Sequence, residues 1–187
     1  MDFFKFTHYN ICMEFNDVIL KRRSIRKFKQ DPVQDEKIKK IIEAARLAPT
    51  WSNKQGVRYI IIKDQNTIKE IANATTQKWT ENVPMFIIVC ISPVNSGKNM
   101  NNLEYFTVDA AICMEHIILA ATNEGLGTCW IGWFDEEKIK ELLSVPDKTR
   151  IIALTPLGYS DYTPREQNRK SLDKICFSEK YGIQKKF

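Results

Sequence analysis

Histidine is scarce in this chain, with only His8 and His116 among 187 residues, and its five cysteines form no C-x-x-C pair. Cys12, Cys90, Cys113, Cys129 and Cys176 are odd in number and widely spaced, which argues against a disulfide framework and against a zinc site alike. They read as reduced thiols in a reducing compartment. His116 lies within an apolar helical run, where a packed or solvated structural histidine is a simpler reading than a metal ligand. The sequence has no G-x-S-x-G and no H-E-x-x-H, and no histidine is placed to pair with a cysteine, which removes the common hydrolytic and nucleophilic plans. The opening stretch, MDFFKFTHYNICMEF, carries an acid at position 2 and no uninterrupted apolar block. It matches neither a signal peptide nor a membrane span, so a cytoplasmic protein with no membrane partner is expected. No internal repeat and no Pro/Gly/Ser-rich linker divides the chain, and residues 1–187 read as one domain.

What is present is an ordinary globular composition, 43% apolar and 27% charged, in a chain long enough to bury a real core. The net charge of +5 permits an anionic ligand but is too modest and dispersed to indicate nucleic acid.

Periodicity supplies the elements. Residues 14–23 read as a short helix running into an arginine cluster. DEKIKKIIEAARLA places Ile38, Ile41, Ile42 and Ala45 on one helical stripe, with Asp35 at or near its start and Pro49 beyond its end. VRYIIIK (57–63) and MFIIVCI (85–91) are β-branched runs with little alternation, the pattern of strands covered on both faces, so helices should flank the sheet. NTIKEIANATTQKW between them is weakly helical. From Leu103 to Glu124 the chain is apolar nearly all round and stops at Gly125, which predicts a buried central helix. FDEEKIKELLSVP is a helix with Asp135 as its N-cap, and RIIALTPLGY is the last strand. Beyond Ser160 the tail is charged and carries Phe177, Tyr181 and Phe187, aromatics without an evident place on the domain's own core.

Two stretches suggest phosphate chemistry. GLGTCW (125–130) begins like a dinucleotide fingerprint, but its third glycine is missing and a helix, not a strand, precedes it. Gly125 is accounted for as a helix cap. LKRRSIRKF places Arg22, Arg23 and Arg26 within five residues around Ser24. In a helical or turn-like conformation Arg22 and Arg26 would share a side at i, i+4, and two guanidinium forks with one hydroxyl would suit a phosphate. A solvated basic helix end is the alternative.

RRSIRKF, AARLAPTWSNKQ, GLGTCWIGWFDEEKIKELLSVP, LTPLGY, NRKSL and EKYG, in this order from about Asn16 to Gly182, resemble the FMN-dependent nitroreductase family. The resemblance implies an α+β fold with a central mixed β-sheet flanked by helices, a long buried central helix and an intertwined homodimer. It assigns Arg22, Arg23, Ser24 and Arg26 to the FMN phosphate and ribityl chain, with Arg169 completing the phosphate site. Thr50, Trp51, Asn53 and Gln55 would line the flavin from the other subunit. Trp130, Ile131 and Gly132 would give backbone contacts beside the isoalloxazine, including an amide N–H aimed at N5. The tail, about 160–187, would pack on the partner through Phe177 and Tyr181. The implied activity is a ping-pong oxidoreduction. NADH or NADPH would deliver hydride to the flavin, and nitroaromatics, quinones or similar small molecules would accept the electrons. No catalytic side chain is expected, because the flavin carries its own redox chemistry.

One departure stands out. The family commonly continues its asparagine segment as Q-P-W, whereas this chain has Gln55-Gly56-Val57, a change expected to leave the start of the next strand less fixed and to alter the substrate wall. Trp51 would either refill that space or act as a packing residue at the dimer contact. Two other readings compete: a family relative using reduced FMN for dehalogenation or flavin breakdown, which would need a substrate-covering lid, and a non-enzymatic basic module, which would need aromatics interleaved on a basic face.

Overall fold

The computed structural model describes residues 13–187. His8, Cys12 and most of the opening stretch lie outside the described residues.

Among the described residues four strands form one sheet in the order β1-β2-β4-β3: β1 (Val57–Ile62), β2 (Phe86–Ile91), β3 (Gly127–Thr128) and β4 (Arg150–Gly158). All three neighbouring pairs run antiparallel. The mixed character expected of the sheet is confined to a parallel bridge between Ser24 and Thr128 at its β3 edge.

Among the described residues five α-helices accompany the sheet: α1 (Phe15–Lys21), α2 (Asp35–Arg46), α3 (Gln65–Thr75), α4 (Phe106–Asn123) and α5 (Glu136–Leu143). Side chains alternate across a strand, so β2 divides its apolar residues between two cores. Ile87, Val89 and Ile91 join α2 and α4 on one face, while Phe86, Ile88 and Cys90 join α3, α5, Ile25 and Phe28 on the other. Helices thus cover both faces of β2, which is buried throughout. β1 departs from that expectation. It is an edge strand, and Arg58 and Ile61 are exposed, because sheet order leaves it one neighbour instead of two.

The predicted stripe of α2 is the buried one, with Ile38, Ile41 and Ala45 in the core and Ile42 half-buried against it. Asp135 caps α5 by accepting from the Lys138 N–H, and Asp64 caps α3 from Thr67 in the same way. α4 ends as its glycine suggests. Gly125 has φ +74°, its N–H reaches Thr122 O at 3.0 Å, and the Leu126 N–H reaches Ala121 O at 2.8 Å, the two bonds of a Schellman close. α4 is not buried all round within this chain: Thr107, Val108 and Glu115 are exposed along one side. Among the described residues no helix is long and apolar enough to cross a membrane.

Candidate functional site

The arginine segment is extended, not helical. α1 stops at Lys21, and Arg22 already has φ −55° and ψ 126°. In extended backbone alternate residues share a side, so Arg22, Ser24 and Arg26 line one face while Ile25 turns into the core. The expected i, i+4 pairing of the two arginines is therefore replaced by i, i+2, i+4, with the serine between them. The cause is tertiary: Ser24 bridges to Thr128, and the Ile25 N–H donates to Thr128 O at 2.7 Å. Three residues on, Phe28 bridges to Ser160, and Lys27 pairs with Asp161 at 2.7 Å. Arg23 points away from this group. Its Nη1 donates to Leu20 O at 2.6 Å and to Arg22 O at 2.8 Å, so it closes the C-terminus of α1.

Neither Arg22 nor Arg26 has a carboxylate partner among the described residues, in contrast to the neighbouring Lys21 and Lys27, which pair with Asp17 and Asp161. Both act on Cys129, the residue after Thr128. Burial pushes the Cys129 thiol up, and Arg26, the Ser24 hydroxyl and Arg22 oppose it in that order. Two cationic residues and a hydroxyl thus share one extended face beside β3 with no carboxylate partner, an arrangement that fits a phosphate monoester.

From there the chain passes through Trp130, Ile131 and Gly132. Ile131 is a core residue whose amide donates to Leu154 O at 2.9 Å, so it cannot be the donor aimed at a cofactor. Trp130 and Gly132 flank it, and neither gives its amide to a protein acceptor among the described residues. A Cβ on Gly132 would meet only Trp130 Nε1, at 3.7 Å, which leaves open space on that side. Trp133, the next residue, is 77% exposed.

The second half of the predicted site, residues 50–55, lies elsewhere in the chain. Ser52, Asn53 and Gln55 have φ of +46°, +55° and +52°, left-handed values that cost a non-glycine residue about 1 kcal/mol or more each. Such strain persists only where the surroundings over-determine it. Thr50 Oγ1 accepts the Gln55 N–H at 3.0 Å, Thr50 O accepts from Asn53 at 2.9 Å, and Trp51 O accepts from Lys54 at 3.0 Å. Asn53 and Gln55 are exposed, with Gln55 Nε2 donating to Asn53 O. Trp51 packs within its own chain: its indole fills the space over Gly97 and tilts against Tyr105 with ring centroids 4.7 Å apart. The Trp51 N–H donates to the buried Asp109 carboxyl at 2.8 Å, and the other Asp109 oxygen accepts from Ser96 Oγ at 2.6 Å. Lys54 Nζ donates to Ser96 O.

Gly56 corrects the expectation of a loose strand start. A Cβ there would stand 2.3 Å from Asn95 O, so the missing proline and tryptophan are replaced by close backbone packing. Between this loop, β1 and α4 lies a cleft of about 160 Å³ lined by Ala45, Thr50, Gln55, Val57, Tyr59 and Cys113. Burial, then Cys113, pushes the Tyr59 hydroxyl up, and burial pushes the Cys113 thiol up. Neither serves as an acid or base near neutral pH.

No hydrogen bond or ion pair joins the arginine face to the 50–55 loop among the described residues, and Arg169 is exposed and not bonded to either. Sequence reasoning missed Ser96, Gly97 and Asp109. The signal was a carboxyl set in an apolar helical run, which must find partners when buried. Likewise, His116 is structural, with Nδ1 at 3.0 Å from Ala44 O. Among the described residues no group of His, Cys, Asp and Glu is arranged to hold a metal ion.

Comparison with known proteins gives this geometry a family. A nitroreductase family protein from Clostridium novyi NT superposes with a TM-score of 0.77 at 42% identity, covering 92% of this chain and 97% of that one. An FMN-dependent nitroreductase from Clostridium difficile R20291 gives 0.77 at 28% identity over 88% and 98% of the two chains. An NADPH-flavin oxidoreductase of Vibrio harveyi is 28% identical over 176 residues, 88% of this chain and 73% of that protein. The model of the Nitroreductase family matches residues 19–104 and 76–159, and this chain belongs to that family.

Proposed function

We propose that the chain is an FMN-dependent NAD(P)H oxidoreductase that delivers electrons to small planar acceptors such as nitroaromatics and quinones, working as a homodimer in a reducing, cytoplasmic compartment. The observation that carries this reading is the extended face of Arg22, Ser24 and Arg26, free of carboxylates and pinned to β3 beside Cys129. Arg22 and Arg26 hold the phosphate through charge-assisted bonds, and Ser24 adds a hydroxyl. The free amides of Trp130 and Gly132 would serve as donors to the polar edge of the ring, and the open space at Gly132 would let the backbone approach it. Arg169 closes the phosphate site by folding of the tail in the assembled dimer. Thr50, Asn53 and Gln55 come from the second subunit, as the family resemblance implies.

Hydride and electron transfer are the chemistry that FMN supplies when bound, so the chain need not supply a catalytic acid, base or nucleophile of its own. The chain's own residues bind, orient and shield. The dimer is supported by apolar surface on one chain: Phe15, Leu20, Leu172 and Tyr181 are all more than half exposed, and α4 has an uncovered side. The names of relatives in the family point the same way, among them the FMN-dependent nitroreductase and the NADPH-flavin oxidoreductase.

The test is the visible spectrum of the purified protein. A yellow protein with flavin bands that bleach on adding NADH or NADPH, and recover on adding a nitroaromatic or a quinone, is the expected result. A colourless protein that cannot be reconstituted with FMN would overturn the reading.

A further inference from the structure

Asp109 is 2% exposed and has no cationic partner among the described residues, yet it sits one turn inside a predominantly apolar helix, on its buried side. A buried carboxyl is costly unless hydrogen bonds replace its water. Here both oxygens are engaged, one by the Trp51 N–H at 2.8 Å and the other by Ser96 Oγ at 2.6 Å, and the positive end of α4 faces it. One of these partners belongs to the 50–55 loop itself and the other to the segment packed against it. Trp51 is the first residue of that loop's turn, and the 96–97 segment receives the Lys54 ammonium on Ser96 O and the Trp51 indole over Gly97. The backbone bonds inside the loop close it on itself. What ties it to the helix is Asp109. Three of the four residues after that tie, Ser52, Asn53 and Gln55, are in left-handed conformation.

We propose that Asp109 is a positioning residue for the cofactor: by holding Trp51 and Ser96 at once it locks the 50–55 loop in the strained conformation that presents Thr50, Asn53 and Gln55 to the flavin. The inference rests on the flavin reading of that loop. Asp109 touches no ligand and acts through the loop, as a supporting group that fixes the residues in contact.

The experiment compares Asp109→Ala, Asp109→Asn and Ser96→Ala with the wild type in FMN affinity, thermal midpoint and backbone amide exchange of residues 51–56. Asparagine keeps an acceptor for the Trp51 N–H and a polar group for Ser96. Asp109→Ala is expected to weaken FMN binding by about tenfold or more and to speed exchange at 51–56, as loss of two buried hydrogen bonds dictates. Asp109→Asn should stay within about threefold of the wild type in affinity, with exchange little changed, since the bonding pattern survives. Should Asp109→Ala fail to fold, Ser96→Ala removes one of the two bonds and must still raise both the FMN dissociation constant and the exchange rate. A lowered thermal midpoint with unchanged FMN affinity, or unchanged exchange at 51–56, overturns the proposal and leaves Asp109 a stability residue. If the wild type itself takes up no FMN, the flavin reading has failed. Exchange then decides the loop lock alone: protection lost in alanine and kept in asparagine supports it, and any other pattern removes it.

Discussion

Gly127 lies so close to Ile25 that a Cβ on the glycine would stand 2.6 Å from Ile25 Cγ1. That closeness lets the Ile25 N–H reach Thr128 O and draws the arginine segment straight along β3. The two glycines of Gly125-Leu126-Gly127 therefore do different jobs, one ending α4 with φ +74° and the other admitting a neighbour. Gly127→Ala should push Ile25 away from β3, at about 1 to 3 kcal/mol of stability, and carry Arg22, Ser24 and Arg26 with it. Gly125→Ala meets no atom and should cost about 1 kcal/mol through backbone strain alone. Thermal melts paired with FMN titrations separate the two. Both variants melt lower, and only Gly127→Ala loses affinity.

The arginine trio should divide in the same kind of measurement. Arg22 and Arg26 share a face with Ser24, and a bond to a charged group contributes about 1.5 to 3 kcal/mol. Arg22→Ala or Arg26→Ala should thus weaken FMN binding by about one to two decades. Arg23 already serves Leu20 O and Arg22 O, so Arg23→Ala should lower helix stability with an affinity change under about threefold. Equal losses in all three would mean that the segment acts as diffuse positive charge and not as a shaped site.

How much of this was legible beforehand follows the range of the forces. The stripe of α2, the Asp135 cap and the Gly125 stop are set within a few residues and could be read directly. The extended course of 22–26 could not, because a bond and a void more than a hundred residues away impose it, through Thr128 and Gly127. β1 looked buried because its composition matches β2, while its place at the edge is a property of the whole sheet. Gly56 looked like a loss when compared with a family pattern, and only the approach of Asn95 gives it a reason. Asp109 was visible as an interruption of an apolar run, but its partners sit 58 and 13 residues away.

The tail predicts its own removal. Residues 171–187 contribute to neither core, Phe177 stacks on Tyr181 at 4.7 Å, and Tyr181 itself is 93% exposed. A chain ending at Lys170 should keep its circular dichroism and sediment as a monomer at micromolar concentration, where the full chain is expected to sediment as a dimer. It should also bind FMN far more weakly, since the site draws on two subunits in the proposed assembly. A truncated chain that remains dimeric would place the interface on α1 and α4 alone.

Glu136 makes a prediction in pH. Its Oε1 accepts the Ile151 N–H at 2.9 Å, and Arg150 grips both oxygens, with Nη2 at 2.8 Å from Oε2, so one carboxylate joins the start of α5 to the start of β4. Lys140, almost fully buried, lies 3.6 Å away on the same helix. Burial alone would raise the Glu136 pKa, but the Arg150 bonds, the Ile151 amide and the charges of Arg150 and Lys140 outweigh it and hold the group below its ordinary value. A carboxyl whose folded pKa is lowered stabilises the fold above its unfolded pKa, about 4.3, and that contribution fades as pH falls through the lower folded value. Arg150 is half exposed, so solvent screening keeps the pair to about 1 kcal/mol. Glu136→Gln should therefore melt lower than the wild type at pH 7, and the gap should close as the pH is taken well below 4.3 by about two units. A gap that stays constant across that range would mean the uncharged amide bonds, and not the charge, carry the difference.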